Sequence, residues 1–185
     1  NPTEIARMLE LALQNTDSVI TSNRKSRNDS IFIKILYRIH LLITFLFSFK
    51  WITFGNFSSF SSKNIEKILN DNSAWFAFSS SVIKNCKIKR LYAKREKRYF
   101  DKSKLGLLKL IEHSIRVNAV FSNRVSLISI FYITVIYLIF AVKSFTFLII
   151  LSIILFNILI YLIRFIHSIK NFKDCSNLID NYKII

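Results

Sequence analysis

Residues 125–163 carry a single charged side chain, Lys143, and this segment constrains the chain more than any other. As one straight helix, its 39 residues would run about 58 Å, far beyond a hydrocarbon core of about 30 Å. Its halves, 125–142 and 145–163, each approach the length that a spanning helix needs. The economical arrangement is therefore a hairpin with Lys143 and Ser144 at its tip. The turn holds no Gly or Pro, so one long tilted or bent helix is the other reading. A hairpin puts Arg124, Arg164, Lys170 and Lys173 at the same end, and the excess of cations assigns that end to the cytosolic side.

Charge sharpens this reading. The chain has 185 residues, a net charge of +16 and a mean hydropathy of +0.36. Phe, Ile, Lys, Asn and Tyr are all frequent, as an AT-rich genome would make them, so where the apolar residues fall matters more than their total. Ten of the cations lie in residues 84–104, against Glu96 and Asp101 only. Tyr92, Tyr99 and Phe100 interleave with them, as stacking surfaces for RNA would. Yet the block lies between apolar segments, and anionic lipid head groups account for both features together. Nucleic acid is accordingly the lesser reading. A solvated helix face, or charge that merely sets topology, is the plain alternative.

Helical periodicity organises the remainder. Pro2 and Glu4 suit a first turn, and Ile5, Met8, Leu9 and Ala12 recur at helical spacing to about Gln14. Residues 15–30 read as a loop or a frayed helix end. Residues 31–54 form an amphipathic helix with a wide apolar face. With Lys34 at 0°, Arg38 falls at about 40°, Ser48 at about −40° and Thr44 at about −80°, and Tyr37 lies in the same arc. Lys34 and Arg38 thus mark a polar stripe at a membrane surface, or snorkel from a spanning helix. A core helix in a bundle is the soluble reading. Residues 55–62 break the chain, a short helix covers 64–69, and a longer one runs from Ala74 into the basic block. Helical spacing returns over 105–121.

Catalytic patterns are missing. Two glycines, Gly55 and Gly106, cannot build a phosphate loop. His40, His113 and His167 stand apart, and Glu112-His113 lacks the second histidine of a zincin helix. Cys86 and Cys175 read as reduced, inert thiols rather than a disulfide framework. The expectation is a non-enzyme with no cofactor and no metal.

The order of segments resembles the peroxisomal biogenesis factor 11 (peroxin-11) family over about residues 30–142. "FSFKWITFG", 47–55, is similar to that family's aromatic helix end and following glycine. "AWFAFSSSVIKNCKIKRLYAKRE", 74–96, resembles its Trp/Phe-led helix running into charged residues. "LGLLKLIEHSIRVNAVFSN" and "RVSLISIFYITVIYLIF" resemble its third helix and final apolar segment. Departures exist: Phe47-Ser48 stand near an expected acidic residue, Arg116 stands where an Asp is usual, and 145–163 exceeds the usual ending. The family's N-terminal segment would lie upstream of Asn1, which suits a fragment. The resemblance implies non-catalytic membrane shaping in peroxisome elongation, proliferation and fission, at the peroxisomal membrane, beside membrane fission machinery.

The expectation is thus an all-α, membrane-associated protein. Amphipathic cytosolic helices occupy 1–124, the transmembrane hairpin 125–163 and a polar tail 164–185. Lipid contact falls to Lys34, Arg38, Lys87, Lys89, Arg90, Lys94, Arg95, Lys97 and Arg98, with Trp51 and Trp75 as interfacial anchors. The partners are anionic lipids and, as a further expectation, other copies of the chain. The alternative function is a structural accessory subunit of an organellar membrane complex, in the mitochondrial inner membrane.

Overall fold

The computed structural model describes residues 2–24, 30–93, 106–140 and 144–168. Seven α-helices and three strands follow one another among them. They are α1 (Pro2–Gln14), β1 (Ser18–Arg24), α2 (Ile31–Ser48), β2 (Phe54–Ser59), α3 (Ser62–Leu69), α4 (Phe78–Asn85), β3 (Lys87–Ala93), α5 (Leu107–Ala119), α6 (Ser122–Phe140) and α7 (Ser144–Ser168). A 3₁₀ turn, Asn72–Trp75, precedes α4.

The protein is mostly helical, but it is not all-α. The strands form one sheet in the order β2-β1-β3. β1 is antiparallel to β2, with a register irregularity between Thr21 and Asn23. It is parallel to β3, from Ser18 opposite Lys87 to Arg24 opposite Ala93. Three expectations are corrected here. Residues 15–30, read as a loop or a frayed helix end, contain β1. The break at 55–62 contains most of β2. The helix expected to run from Ala74 into the basic block ends at Asn85, and the block continues as β3. Cys86, extended at the end of α4, makes the turn between them.

The central position of β1 follows from its residues. Val19, Ile20 and Thr21 are β-branched, and all three are fully buried. Successive side chains alternate between the faces of a sheet. Ile20 packs with Leu91 of β3 against Met8, Leu11 and Ala12 of α1. Val19 enters the main core with Ile52, Phe54, Ile68, Phe76 and Val82, and Ile88 packs against it. Val117, Val120, Phe121, Val125 and Ile160 belong to the same core, so the sheet and the long helices share it.

α6 and α7 are antiparallel neighbours: Ser122 meets Arg164, and Ser126 meets Asn157 and Tyr161. Two packed helices therefore replace the single long helix of the other reading. The proposed tip residue Lys143 lies outside the described residues, as do Lys94, Arg95, Lys97, Arg98 and the tail beyond Ser168.

Candidate membrane interface

Three helices are long and apolar enough to cross a membrane among the described residues: Ile31–Ser48, Ser122–Phe140 and Ser144–His167. Their orientation in the fold is the reverse of a water-soluble bundle. On α2, Ile35, Ile39, Leu42 and Leu46 form an exposed apolar stripe. On the opposite side, Leu41, Thr44 and Ser48 are buried. The polar stripe read from the sequence thus divides. Lys34 and Arg38 are exposed, near the helix start, but Thr44 and Ser48 face inward rather than toward a membrane surface.

What meets that inward side is polar. Asn118 of α5 donates through Nδ2 to Thr44 Oγ1 at 3.2 Å and to Ser114 O at 2.9 Å. His40 Nδ1 lies 2.6 Å from Ser114 Oγ. Ser48 Oγ donates to Thr44 O at 2.6 Å, the back-bond that lets a hydroxyl sit inside a helix. The spacing from His40 to Ser114 equals that from Thr44 to Asn118, so α2 and α5 run parallel here. At its C-terminal end α2 meets the α6–α7 pair. Tyr132 donates its hydroxyl to Leu46 O at 2.8 Å, and the Phe47 ring meets Tyr132 edge-on and Phe156 at a tilt.

The α6–α7 seam follows the same rule. Ser122, Ser126 and Ser129 recur at i, i+4 and i+7 on α6 and face Asn157, Tyr161 and Arg164 at the same spacing on α7. Asn157 Nδ2 donates to Ser129 Oγ at 2.8 Å, and Ser126 Oγ donates to Asn157 Oδ1 at 3.2 Å and lies 3.0 Å from Tyr161 Oη, whose hydroxyl can donate to it. Arg164 donates to Ser122 Oγ and Asn123 Oδ1. Outside, Leu127, Ile130, Phe131 and Leu138 on α6 are exposed, as are Phe145, Leu148, Leu155 and Leu162 on α7. Small polar residues between helices and bulky apolar ones outside are the arrangement that hydrocarbon surroundings favour.

Aromatic residues gather where α2 ends. Phe49 closes the helix in the left-handed region, φ 51° and ψ 30°, its N–H bonded to Phe45 O at 2.8 Å. Phe45 contacts both Phe49 and Trp51 edge-on, and all three are exposed. Trp51, expected as an interfacial anchor, is thus exposed beside two other exposed aromatic side chains. Trp75 stands differently. It is half-buried against the core, and its carbonyl accepts from Arg116 Nη2 at 2.7 Å while Phe76 O accepts from Arg116 Nε at 2.8 Å.

The described part of the basic block has a structural role besides charge. Lys87, Lys89 and Arg90 are exposed on β3, an edge strand, where cations discourage pairing with another sheet. Lys89 Nζ donates to Asn15 Oδ1 at 3.1 Å, and Arg90 Nη2 donates to Trp51 O at 3.1 Å. The fold thus brings two expected lipid contacts, Trp51 and Arg90, together across 39 positions in sequence.

Asp71 ties α4 to the 3₁₀ turn. Its carboxylate accepts from Ser73 N at 2.9 Å and Asn85 Nδ2 at 2.7 Å and pairs with Lys84 Nζ at 2.8 Å. Burial alone would push this carboxyl up. Lys84, Ser73 and Asn85 together outweigh that and hold it at about 2. Burial pushes the Cys86 thiol up, with the Lys67 charge opposing, so it is a poor nucleophile. Although His113 is exposed, partial desolvation of its ring and the neighbouring Arg116 push it down and favour its neutral form, with Glu112 opposing.

The residues missed in the sequence are the inward polar ones, Asn118, Ser114, Ser126, Ser129 and Asn157, and Tyr161 at the edge of the seam. The i, i+4, i+7 recurrence on α6 and α7 is the signal that marks them. Compared with family models, with curated proteins and with solved structures, the chain matches none.

Proposed function

We propose that this is a non-catalytic membrane-shaping protein. The observation that carries the reading is the outward apolar surface of α2, α6 and α7, with Thr44, Ser48, Ser122 and Ser129 among the residues that α2 and α6 bury. An apolar surface this continuous has no place in water. In this reading α6 and α7 span the bilayer as a hairpin. α2, its polar side covered by α5, presses its apolar stripe into one leaflet. Lys34 and Arg38 at its exposed start, and Lys87, Lys89 and Arg90 on the sheet edge, hold anionic head groups. The resemblance to the peroxin-11 family supports a role in peroxisome elongation and division.

The test is reconstitution of the full-length protein into vesicles containing anionic lipid. Tubules visible by electron microscopy are expected, and membrane retention should survive alkaline carbonate. Changing Lys34 and Arg38 to Glu should weaken attachment by about 1 kcal/mol per cation removed, with reversal adding to it. Carbonate release would end the spanning reading, and undeformed vesicles would end the shaping one. A tagged chain that marks an organelle other than the peroxisome would remove the peroxisomal assignment.

One observation favours the second reading, an accessory subunit of a mitochondrial membrane complex. The folded sheet, with α1 on one face, is more structure than wedging requires and offers a head for docking. Comigration with a large complex in native gels would select it.

A further inference from the structure

Where α6 begins and α7 ends, the fold opens a cleft of about 400 Å³. Its lining includes Lys50, Lys84, Arg124 and Arg164, with Asp71 and Ser122 between them. Lys84 is already paired with Asp71. Lys50, Arg124 and Arg164 therefore supply an excess of positive charge. Arg124 spends Nη1 on Ser48 O at 3.2 Å, and Arg164 spends Nη1 on Ser122 and Asn123. A guanidinium has five N–H donors, so each retains capacity for a further acceptor. Ser122 also stands at the first turn of α6, the positive end of that helix.

A second cavity lies on the same two helices. It is an open apolar groove lined by Ile130, Ile133, Ile154 and Ile158, with Ser126 and Tyr161 at one end. The stripe Ser122, Ser126, Ile130, Ile133 continues from the cleft into the groove at i, i+4, i+8 and i+11. On α7, Arg164, Tyr161, Ile158 and Ile154 continue it in the opposite direction. A cationic cleft and, one helical turn further along the same helix pair, an apolar groove match a molecule with a phosphate at one end and a hydrocarbon chain at the other.

We propose that the cleft and groove hold one anionic phospholipid, its phosphate between Lys50, Arg124 and Arg164 and one acyl chain along the α6–α7 seam. Phosphate suits the cleft because guanidinium groups bind it through paired, charge-assisted hydrogen bonds. The proposal rests on the membrane reading for the lipid as its source. It adds a stoichiometric site to that reading's diffuse attraction of surface cations for head groups.

The test uses the full-length protein in mild detergent, with no vesicle present, and counts bound lipids by native mass spectrometry. Phosphatidic acid should be retained at one per chain, and phosphatidylcholine should wash away. Changing Lys50 and Arg124 to Gln should weaken retention on the order of tenfold. Removing the same charge elsewhere, with Lys63→Gln and Lys109→Gln, should leave it unchanged. Arg124→Lys should recover part of the loss, which a merely misfolded cleft would not allow. Ile154→Trp, which fills the groove, should reduce retention while the cations stay in place. Equal losses from both double-charge variants would overturn the proposal, because net charge alone would then explain retention. So would displacement of phosphatidic acid by inorganic phosphate together with indifference to Ile154→Trp, because the site would then be one for free phosphate. Vesicle deformation without lipid retention would sink this proposal and leave the shaping function standing, and the converse result would do the opposite.

Discussion

Around the sheet, the protein is built as proteins in water are. Val19, Phe54, Ile68 and Val82 are buried, and Lys87 and Lys89 are exposed. Along much of α2 and α6 the preference reverses. Thr44, Ser48 and Ser129 are buried while Leu46, Leu127 and Leu138 are exposed. Each region follows the same rule, that a side chain goes where its surroundings cost it least. The two regions differ in what surrounds them. Water drives Val82 inward, whereas nothing in hydrocarbon drives Leu138 inward, and a lone hydroxyl there needs a partner. The two arrangements meet in one core, where Val19 of the sheet and Ile160 of α7 belong to the same cluster.

The contrast can be broken most directly with one substitution made in both regions. Val82→Asp buries an unpaired carboxylate in the sheet-side core and should cost about 4 kcal/mol or more, enough to abolish a cooperative unfolding transition. Leu138, 75 % exposed, carries an outward side chain. In water, Leu138→Asp would cost almost nothing. In a bilayer it should cost a part of the about 3 kcal/mol that an Asp costs at a helix centre, because Leu138 lies near the end of α6, and this is visible as a fall in the carbonate-resistant fraction. Unchanged membrane retention of Leu138→Asp would erase the distinction between the two regions.

A pH titration sharpens the sheet side. The Asp71 carboxyl sits at about 2 when folded, below its ordinary value of 3.8. A depressed folded value stabilises above the unfolded value and is lost as pH falls through the folded one. Wild type should therefore lose about 1 kcal/mol between pH 4 and 2, an amount reduced by solvent screening. Asp71→Asn should lose none of it over that interval. Parallel denaturation profiles for the two proteins would show that the Lys84 pair contributes nothing.

The turn leaving α2 gives a similar effect. Phe49→Gly and Phe49→Ala both remove the ring, but only glycine accepts φ 51° without strain. The glycine variant should be the more stable by about 1 kcal/mol. Equal stabilities would mean that the left-handed residue relaxes. The smallest effect belongs to the inward polar side of the helices. Asn157→Leu removes the bonds to Ser129 and Ser126, and each should be worth about 0.6 kcal/mol in a membrane-mimetic denaturation assay. A gain in stability would mean that the α6–α7 seam is held by packing alone.

Much of the helical part was legible because helices are local. The spacing of Ile5, Met8, Leu9 and Ala12 gave α1, and the apolar halves of 125–163 gave α6 and α7. β1 and β3 were not legible as strands. β1 offers three adjacent β-branched residues among polar ones, and β3 alternates only partly, with cations at Lys87, Lys89 and Arg90. Each becomes a strand because the other is beside it, 69 positions away in register. The candidate site divided in the same manner. Lys34, Arg38 and Trp51 are exposed, whereas Trp75 packs against the core. Arg124 and Arg164 were read only as topology-setting charge.

The sequence by itself determined that the two halves of 125–163 approach spanning length, that 31–54 carries a wide apolar face and that an intense positive charge accompanies them. Those properties are sums over neighbouring residues and survive any arrangement of the chain. Only the tertiary structure decided which side of each helix turns inward. Periodicity shows that Thr44 and Ser48 share a stripe with Lys34, but not whether that stripe meets solvent or Asn118. That choice depends on a partner 74 residues away, and the same hydrogen-bonding capacity can be met by either.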